Sequence, residues 1–273
     1  MYTEYFHLTE KPFDLTPDPR YVYYSKAHEE ALLRLFYTVI DNKGAMLLTG
    51  LYGCGKTVIS RVFLNELTGS KYEIALITNP RLNSNELLSE IIYQLSNELH
   101  PNKTKGELLR IFNDILISNL NMNKETLIVI DEAQSIEDLG TFEELRLLLN
   151  YQQNDRFLLS LILIGQTELR RRLKQLPQLR QRLLIEYHLD PLDENDTNSY
   201  IEHRLAIAGS KKSLFSENAK KIIYQYSKGI PRVINGICDM ALLEGFIQKV
   251  KIPLNDEIMK KVIRDSQLEE SRT

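Results

Sequence analysis

Gly50-Leu51-Tyr52-Gly53-Cys54-Gly55-Lys56-Thr57 is a complete G-x-x-x-x-G-K-[ST] stretch. Immediately before it, Ala45–Thr49 reads as a short apolar strand, and the segment opening at Lys56 carries Val58, Ile59, Val62 and Phe63 at helical spacing. A strand, a glycine loop and a helix in that order form a phosphate cradle. The glycines let backbone N–H groups turn inward around an anion, and the helix N-terminus adds its positive dipole end. Lys56 is placed to reach the β- and γ-phosphates, and the Thr57 hydroxyl to ligate Mg²⁺. Average residue frequencies give the four fixed positions in about one chain per hundred of this length, and the strand–helix setting narrows that further. The residues expected on ATP are therefore Gly50, Leu51, Tyr52, Gly53, Cys54, Gly55, Lys56, Thr57 and Val58.

Outward from this loop the pattern alternates. Strands are expected at Ala45–Thr49, Ile74–Thr78, Thr126–Ile130, Leu158–Ile164 and Leu183–Leu189. Helices are expected from about Lys26 and Lys56, at Ser84–Leu99 and Lys105–Leu120, and from about Phe142 to Tyr151. Short uninterrupted apolar strands separated by helices imply an α/β fold, a parallel P-loop sheet covered by helices on both faces. After Pro191 the pattern is wholly helical, through Thr197–Ala208, Ser216–Ser227, Pro231–Gln248 and Asn255–Ser266. The expected division is thus an arm plus α/β domain over 1–190 and a small all-helical lid over 191–273. Residues 1–24, rich in Tyr, Phe and Pro, read as an ordered non-helical arm, held extended by Lys11-Pro12-Phe13 and Thr16-Pro17-Asp18-Pro19-Arg20.

Composition excludes several classes. With 273 residues, 43% hydrophobic and 26% charged, the chain can bury a sizeable core and is not globally disordered. A net charge of −3 gives no whole-chain attraction to nucleic acid or anionic lipid. Cys54 and Cys238 suggest neither a disulfide framework nor a metal site, which fits a reducing cytoplasm. No apolar run approaches the roughly 20 residues of a membrane span, and Met1–Arg20 lacks the pattern of a secretory signal.

More polar residues fall where chemistry is expected. The strand Leu127–Ile130 ends in Asp131-Glu132-Ala133-Gln134, which places a carboxylate at the sheet's C-terminal edge, where α/β folds bind ligands. Asp131 would hold Mg²⁺ through its water shell, and Glu132 would orient and deprotonate an attacking water. Strand Leu158–Ile164 ends in Gly165-Gln166, whose amide could sense the γ-phosphate, although the same glutamine suits an ordinary strand-to-helix turn. Leu179-Arg180-Gln181-Arg182 offers two arginines to a neighbouring subunit's site, and the sequence does not choose between them or exclude a solvated basic turn. Gly229-Ile230-Pro231-Arg232 opens a lid helix, with Pro at a first-turn position; Arg232 could reach a γ-phosphate, although it also suits a surface arginine near a capped helix. Arg170-Arg171-Arg172 and Lys174 read as a solvated helix face and, alternatively, as a contact for DNA phosphates.

In that order these elements resemble the AAA+ ATPases. More narrowly they resemble the general secretion pathway protein A (ExeA/GspA) type, through Tyr5-Phe6-x-Leu8, Lys11-Pro12-Phe13-x-Leu15-Thr16-Pro17-Asp18-Pro19-Arg20 and Tyr24-Ser25-x-x-His28-x-Glu30-Ala31-Leu32. Asp131-Glu132-Ala133-Gln134, Gly165-Gln166-x-Glu168-Leu169 and Leu179-Arg180-Gln181-Arg182-Leu183 continue the match to about residue 265. The resemblance implies an Mg²⁺-dependent ATPase that assembles into a ring or filament. It assigns Gln166 as sensor 1, Arg180 or Arg182 as the trans-acting finger and Arg232 as sensor 2, with the arm around Pro17–Tyr24 near the adenine. It also implies protein partners in an envelope secretion or pilus machine and a cytoplasmic location, peripheral to the inner membrane through those partners. The alternative role is a DNA-associated regulator of a transposition-type mobile element. Tyr52 and Cys54 are bulkier than relatives usually carry, and Thr167 stands where many have proline. Cys54 reads as a passive small side chain, with oxidation-sensitive binding as the alternative. Secretion-type members continue into a membrane helix and a peptidoglycan-binding region, so this chain is expected to be a fragment of such a protein or a stand-alone relative.

Overall fold

The structure is a computed structural model describing residues 1–16, 18–67, 69, 71–153 and 156–270, with the side chains of 266–270 left out. Five strands form its main sheet: β1 (Ala45–Gly50), β2 (Tyr72–Ile77), β3 (Glu125–Ile130), β4 (Leu159–Gly165) and β5 (Leu183–Leu189). Their order is β2-β3-β4-β1-β5, and every pairing is parallel. The carboxyl ends of β1, β3 and β4 therefore lie along one edge.

The chain divides into two compact units. The α/β unit holds residues 29–50 and 59–189, and includes most of α1 (Lys26–Ile40) and of α2 (Lys56–Glu66). Its other helices are α3 (Ser84–Ser96), α4 (Lys105–Asn121), α5 (Leu139–Leu148), α6 (Thr167–Leu173) and α7 (Pro177–Arg182). Strands β1 and β4 are buried along their whole length, as expected for a sheet covered on both faces. Leu47, Ile77, Ile128, Ile130 and Leu163 share one core with Leu88 and Ile91 of α3, Phe112 of α4 and Phe142 of α5. On α1 and α2, Phe36 and Phe63 meet edge to face at 5.1 Å.

Local chemistry sets the helix limits. Asn83 with Glu86, and Thr104 with Glu107, form capping boxes at the starts of α3 and α4. The expected helix Ser84–Leu99 stops at Ser96, because Asn97 turns left-handed (φ 57°) and caps it. Short α6 and α7, absent from the expected helix boundaries, occupy the stretch between β4 and β5. Arg180 and Arg182 thus lie on a helical turn.

The helical unit holds residues 1–28, 51–58 and the chain from Asp190 onward. Its helices are α8 (Glu194–Ile207), α9 (Glu217–Ser227), α10 (Pro231–Ile247) and α11 (Asp256–Glu270). Two expectations are corrected here. The arm belongs with this unit and not with the sheet: Tyr2, Phe6, Leu8 and Phe13 are buried in the same core as Leu205, Ile223, Ile234 and Leu242. Nor is the arm non-helical. Tyr2–Tyr5 forms a helical turn that buries Tyr2, with Phe6 next to it also buried. Pro19–Tyr21 forms a 3₁₀ turn capped by Asp18, whose side chain accepts from Arg20 N–H. Arg204 ties the arm down by donating to the carbonyls of Pro12 and Asp14, while its guanidinium lies 4.6 Å from the Tyr21 ring centroid.

Candidate nucleotide site

From Leu51 to Val58 the glycine loop lies in the helical unit. Gly50, the last residue of β1, pairs in register with Leu189 of β5. Gly53 and Gly55 have φ of +84° and +97°, a region L side chains rarely adopt. A Cβ on Gly53 would stand 2.7 Å from Cβ of Arg232, and one on Gly55 would stand 3.1 Å from Nε2 of His28. The loop is therefore packed from two directions by residues of its own unit. Lys56 opens α2, is only 6% exposed, and donates from Nζ to the Leu51 carbonyl at 2.9 Å. Thr57 and Val58 continue the first turn of α2, while Leu51 and Tyr52 are exposed.

Arg232 is brought to this loop. Pro231 occupies the first turn of α10, and the next N–H, that of Arg232, donates to the Gly53 carbonyl at 3.3 Å. The guanidinium lies 4.7 Å from the centroid of the Tyr52 ring. His28 braces the opposite flank. Its Nε2 is 3.2 Å from the Cys54 carbonyl, and its Nδ1 is 2.7 Å from Ser25 Oγ. A carbonyl only accepts, so Nε2 carries the proton and Nδ1 accepts from the Ser25 hydroxyl, an assignment made from the partners. Burial pushes the His28 imidazole below its ordinary value, while the Cys54 hydrogen bond and Asp196 pull the other way. Cys54 is fully buried, and burial raises its thiol against the opposing pull of Lys56. That is the environment of a passive side chain.

A second group of expected residues meets in the α/β unit, at the carboxyl ends of β3 and β4. Asp131 is buried, its N–H donates to the Ile77 carbonyl at 2.9 Å, and its Oδ1 accepts from Glu132 N–H at 2.8 Å. Glu132 is left-handed, at φ 52° and ψ 34°. Gln166 reaches it, with Nε2 3.4 Å from Glu132 Oε2, and the Gln134 amide donates to the same oxygen. Among the described residues no group of three or more His, Cys, Asp or Glu side chains could cage a metal. A lone buried carboxylate such as Asp131 suits a Mg²⁺ that keeps most of its waters.

The remaining candidates have partners of their own. Arg180 Nε donates to Glu186 Oε1 at 3.2 Å, and Arg182 Nη2 donates to Asn150 Oδ1 at 2.8 Å. In the basic run, Arg172 donates to the carbonyls of Gln134, Ile136 and Glu137, and Arg170 lies 3.9 Å from Glu186. Two of the four cluster residues, read as a solvated helix face or alternatively a DNA contact, are thereby engaged within the protein. In the arm, Tyr21 and Val22 are buried, and Tyr23 donates to Asp196 at 3.0 Å. Pro17, named with the expected adenine-facing segment, lies outside the described residues.

Sequence reasoning gave no role to His28, Ser25 or Gln134. All three stand in the quoted family patterns. The contacts of His28 with Cys54 and of Gln134 with Gln166 span 26 and 32 residues, so no local spacing signals them.

Comparison with known proteins bears on family and fold. The AAA domain family matches residues 39–173. General secretion pathway protein A of Aeromonas hydrophila is 41% identical over 248 residues, which is 90% of this chain and 45% of that protein. The chain therefore spans less than half the length of that relative. Among solved structures, the Aeropyrum pernix ORC2 protein in its ADPNP–ADP complexes superposes with a TM-score of 0.66 at 17% identity, over 93% of this chain and 71% of that one. Drosophila ORC bound to DNA gives 0.65 at 17%, over 93% and 66%. A Walker-type ATPase of Pyrococcus abyssi gives 0.61 at 20%, over 96% and 79%. At these identities the superpositions establish the fold alone. No helix among the described residues is long and apolar enough to cross a membrane.

Proposed function

The chain belongs to the AAA+ proteins as a relative of general secretion pathway protein A, and on that premise we propose that it is a Mg²⁺-dependent ATPase working as an oligomer. The observation that carries this reading is Arg232 seated on the glycine loop, through the Gly53 carbonyl and the Tyr52 ring. A loop that already folds against a lid arginine is organised for a polyphosphate whose terminal charge that arginine can meet.

The roles follow from residue chemistry. Backbone N–H groups of the loop from Gly50 to Val58 cradle the phosphates, and Lys56 binds the β- and γ-phosphates. Thr57 and Asp131 are the side chains that would hold Mg²⁺, which when bound would supply charge neutralisation on the phosphate oxygens. Glu132 orients a water and takes its proton as the water oxygen bonds to the γ-phosphorus and the bridging P–O bond to ADP breaks. Gln166 senses the γ-phosphate from the end of β4. Arg232 acts within the subunit, and Arg180 or Arg182 acts on the neighbour's site. The arm near Tyr21–Tyr24 flanks the adenine.

Identity to general secretion pathway protein A along 90% of the chain supports a role in building an envelope secretion or pilus-type machine, with partners on the cytoplasmic side of the inner membrane. The test is phosphate release with Mg²⁺ and with EDTA, together with sizing in ATP. Turnover that needs Mg²⁺ and larger assemblies in ATP are expected. Mixing Arg180→Ala or Arg182→Ala subunits with Lys56→Ala subunits should restore some turnover if the site is shared. No restoration in any mixture removes the trans finger. ATPase stimulation by DNA that is lost steeply with added salt would replace the envelope role with that of a DNA-associated regulator.

A further inference from the structure

Gln134 stands in the 3₁₀ turn Ala133–Ser135, directly after Glu132, and both ends of its amide are used. Nε2 donates to Glu132 Oε2, and Oε1 accepts the backbone N–H of Gln166 at 2.9 Å. That N–H sits at the start of α6, among the donors a helix leaves unmatched. Gln166 occupies the N-cap position yet makes no side-chain cap. With Gln134 supplying the acceptor at this turn, the Gln166 side chain extends to Glu132 instead, 3.4 Å from Oε2. A Cβ on Gly165 would stand 2.6 Å from Leu169 Cδ2 and 2.7 Å from Gln134 Oε1, so a side chain there would have to displace both. Arg172, on the same helix α6, donates to the Gln134 carbonyl at 2.8 Å and fixes the turn from below. Glu132 itself is held left-handed, a conformation that non-glycine residues keep only where their surroundings impose it.

We propose that Gln134 is a positioning residue for hydrolysis, its amide tying the Glu132 carboxylate to the start of α6 so that Glu132 and Gln166 are set as one unit. This rests on the reading of Glu132 as the group that activates water. The Glu132 carboxylate takes its direction from two side-chain donors, Gln134 Nε2 and Gln166 Nε2. The second end of the Gln134 amide makes that direction depend on the β4 terminus, where Gln166 stands.

Two variants separate the two ends. Gln134→Leu removes both hydrogen bonds. Gln134→Glu keeps an acceptor for Gln166 N–H but loses the donor to Glu132. Steady-state phosphate release and binding of a fluorescent ATP analogue are measured for both, beside wild type and Glu132→Gln. Misplacement of the base is expected to lower kcat by about tenfold to a hundredfold in both variants, with KM and analogue affinity within about twofold of wild type. If Gln134→Leu does not fold, Gln134→Glu carries the measurement, since it preserves size and polarity. A kcat at or above the wild-type value in a folded variant overturns the proposal, as does a loss confined to KM or affinity. An active wild type with unaffected variants removes this inference alone. A wild type that neither binds nor hydrolyses ATP, or a Glu132→Gln protein with full turnover, removes the underlying reading too.

Discussion

The guanidinium of Arg232 lies 4.7 Å from the centroid of the Tyr52 ring, so the lid arginine is stacked on a side chain of the glycine loop itself. A cation–π contact at an exposed position contributes about 0.5–1 kcal/mol. It also orders a long side chain, which would lower the entropic cost of the proposed engagement of a γ-phosphate. Tyr52→Ala should therefore weaken ATP binding by about two- to fivefold relative to ADP, and Tyr52→Phe should leave the ratio unchanged. Isothermal titration of both nucleotides checks this. An unchanged ratio in Tyr52→Ala would show that the stack does not prepare Arg232.

Gly53 is the point where loop and lid arginine meet. Its φ of +84° costs an L side chain about 1–2 kcal/mol, and its missing Cβ would press on Arg232 Cβ at 2.7 Å. Gly53→Ala should lower the melting temperature and weaken ATP binding together. Gly106→Ala is the matched control. It lies in the first turn of α4, where nothing stands within 4 Å of a new Cβ, and it should leave the melting temperature unchanged or raise it by the equivalent of about 0.5–1 kcal/mol.

Much of this was legible in the sequence, for a physical reason. A parallel strand buried on both faces must be apolar throughout, so Leu127–Ile130 and Leu159–Ile164 announced themselves by composition. Phosphate chemistry needs glycine, lysine and hydroxyl at fixed spacing, so Gly50–Thr57 did the same. What stayed hidden depends on distant chain. Tyr2 and Phe13 read as part of an aromatic arm grouped with the α/β domain, because their partners in the helical core, such as Ile234 and Leu242, are more than 200 residues away. His28 and Gln134 were visible as letters in a pattern, whereas their acceptor and donor partners at Cys54 and Gln166 were not. The short helices α6 and α7 escaped because neither is long enough to show a period.

Burial holds the His28 imidazole below the ordinary value of 6.5. The unfolded chain therefore takes up a proton at a pH where the folded protein stays neutral. Stability from this group is fully present above the unfolded value and falls as pH drops through it towards the lower folded value. Thermal melting across that window should show the decline. His28→Gln keeps a neutral donor for the Cys54 carbonyl and should flatten it. An identical pH response in the variant would mean that other groups set the acid limb.

Both thiols should be inert in the folded protein. Cys54 and Cys238 are fully buried, and burial raises the pKa of each, which disfavours the reactive thiolate. Mass spectrometry after brief N-ethylmaleimide treatment should find neither labelled until denaturant is added. Rapid native labelling of Cys54 would revive oxidation-sensitive nucleotide binding.

One chain is proposed to bind ATP through Lys56 and to cleave it through Glu132. Equilibrium ATP binding and phosphate release, measured side by side on wild type, Lys56→Ala and Glu132→Gln in Mg²⁺, test it most directly. Wild type should do both, and Lys56→Ala should lose binding by about a hundredfold or more. Glu132→Gln should bind as wild type does, release almost no phosphate and accumulate as larger assemblies. A Glu132→Gln protein that hydrolyses at the wild-type rate, or a Lys56→Ala protein that binds normally, would contradict the account.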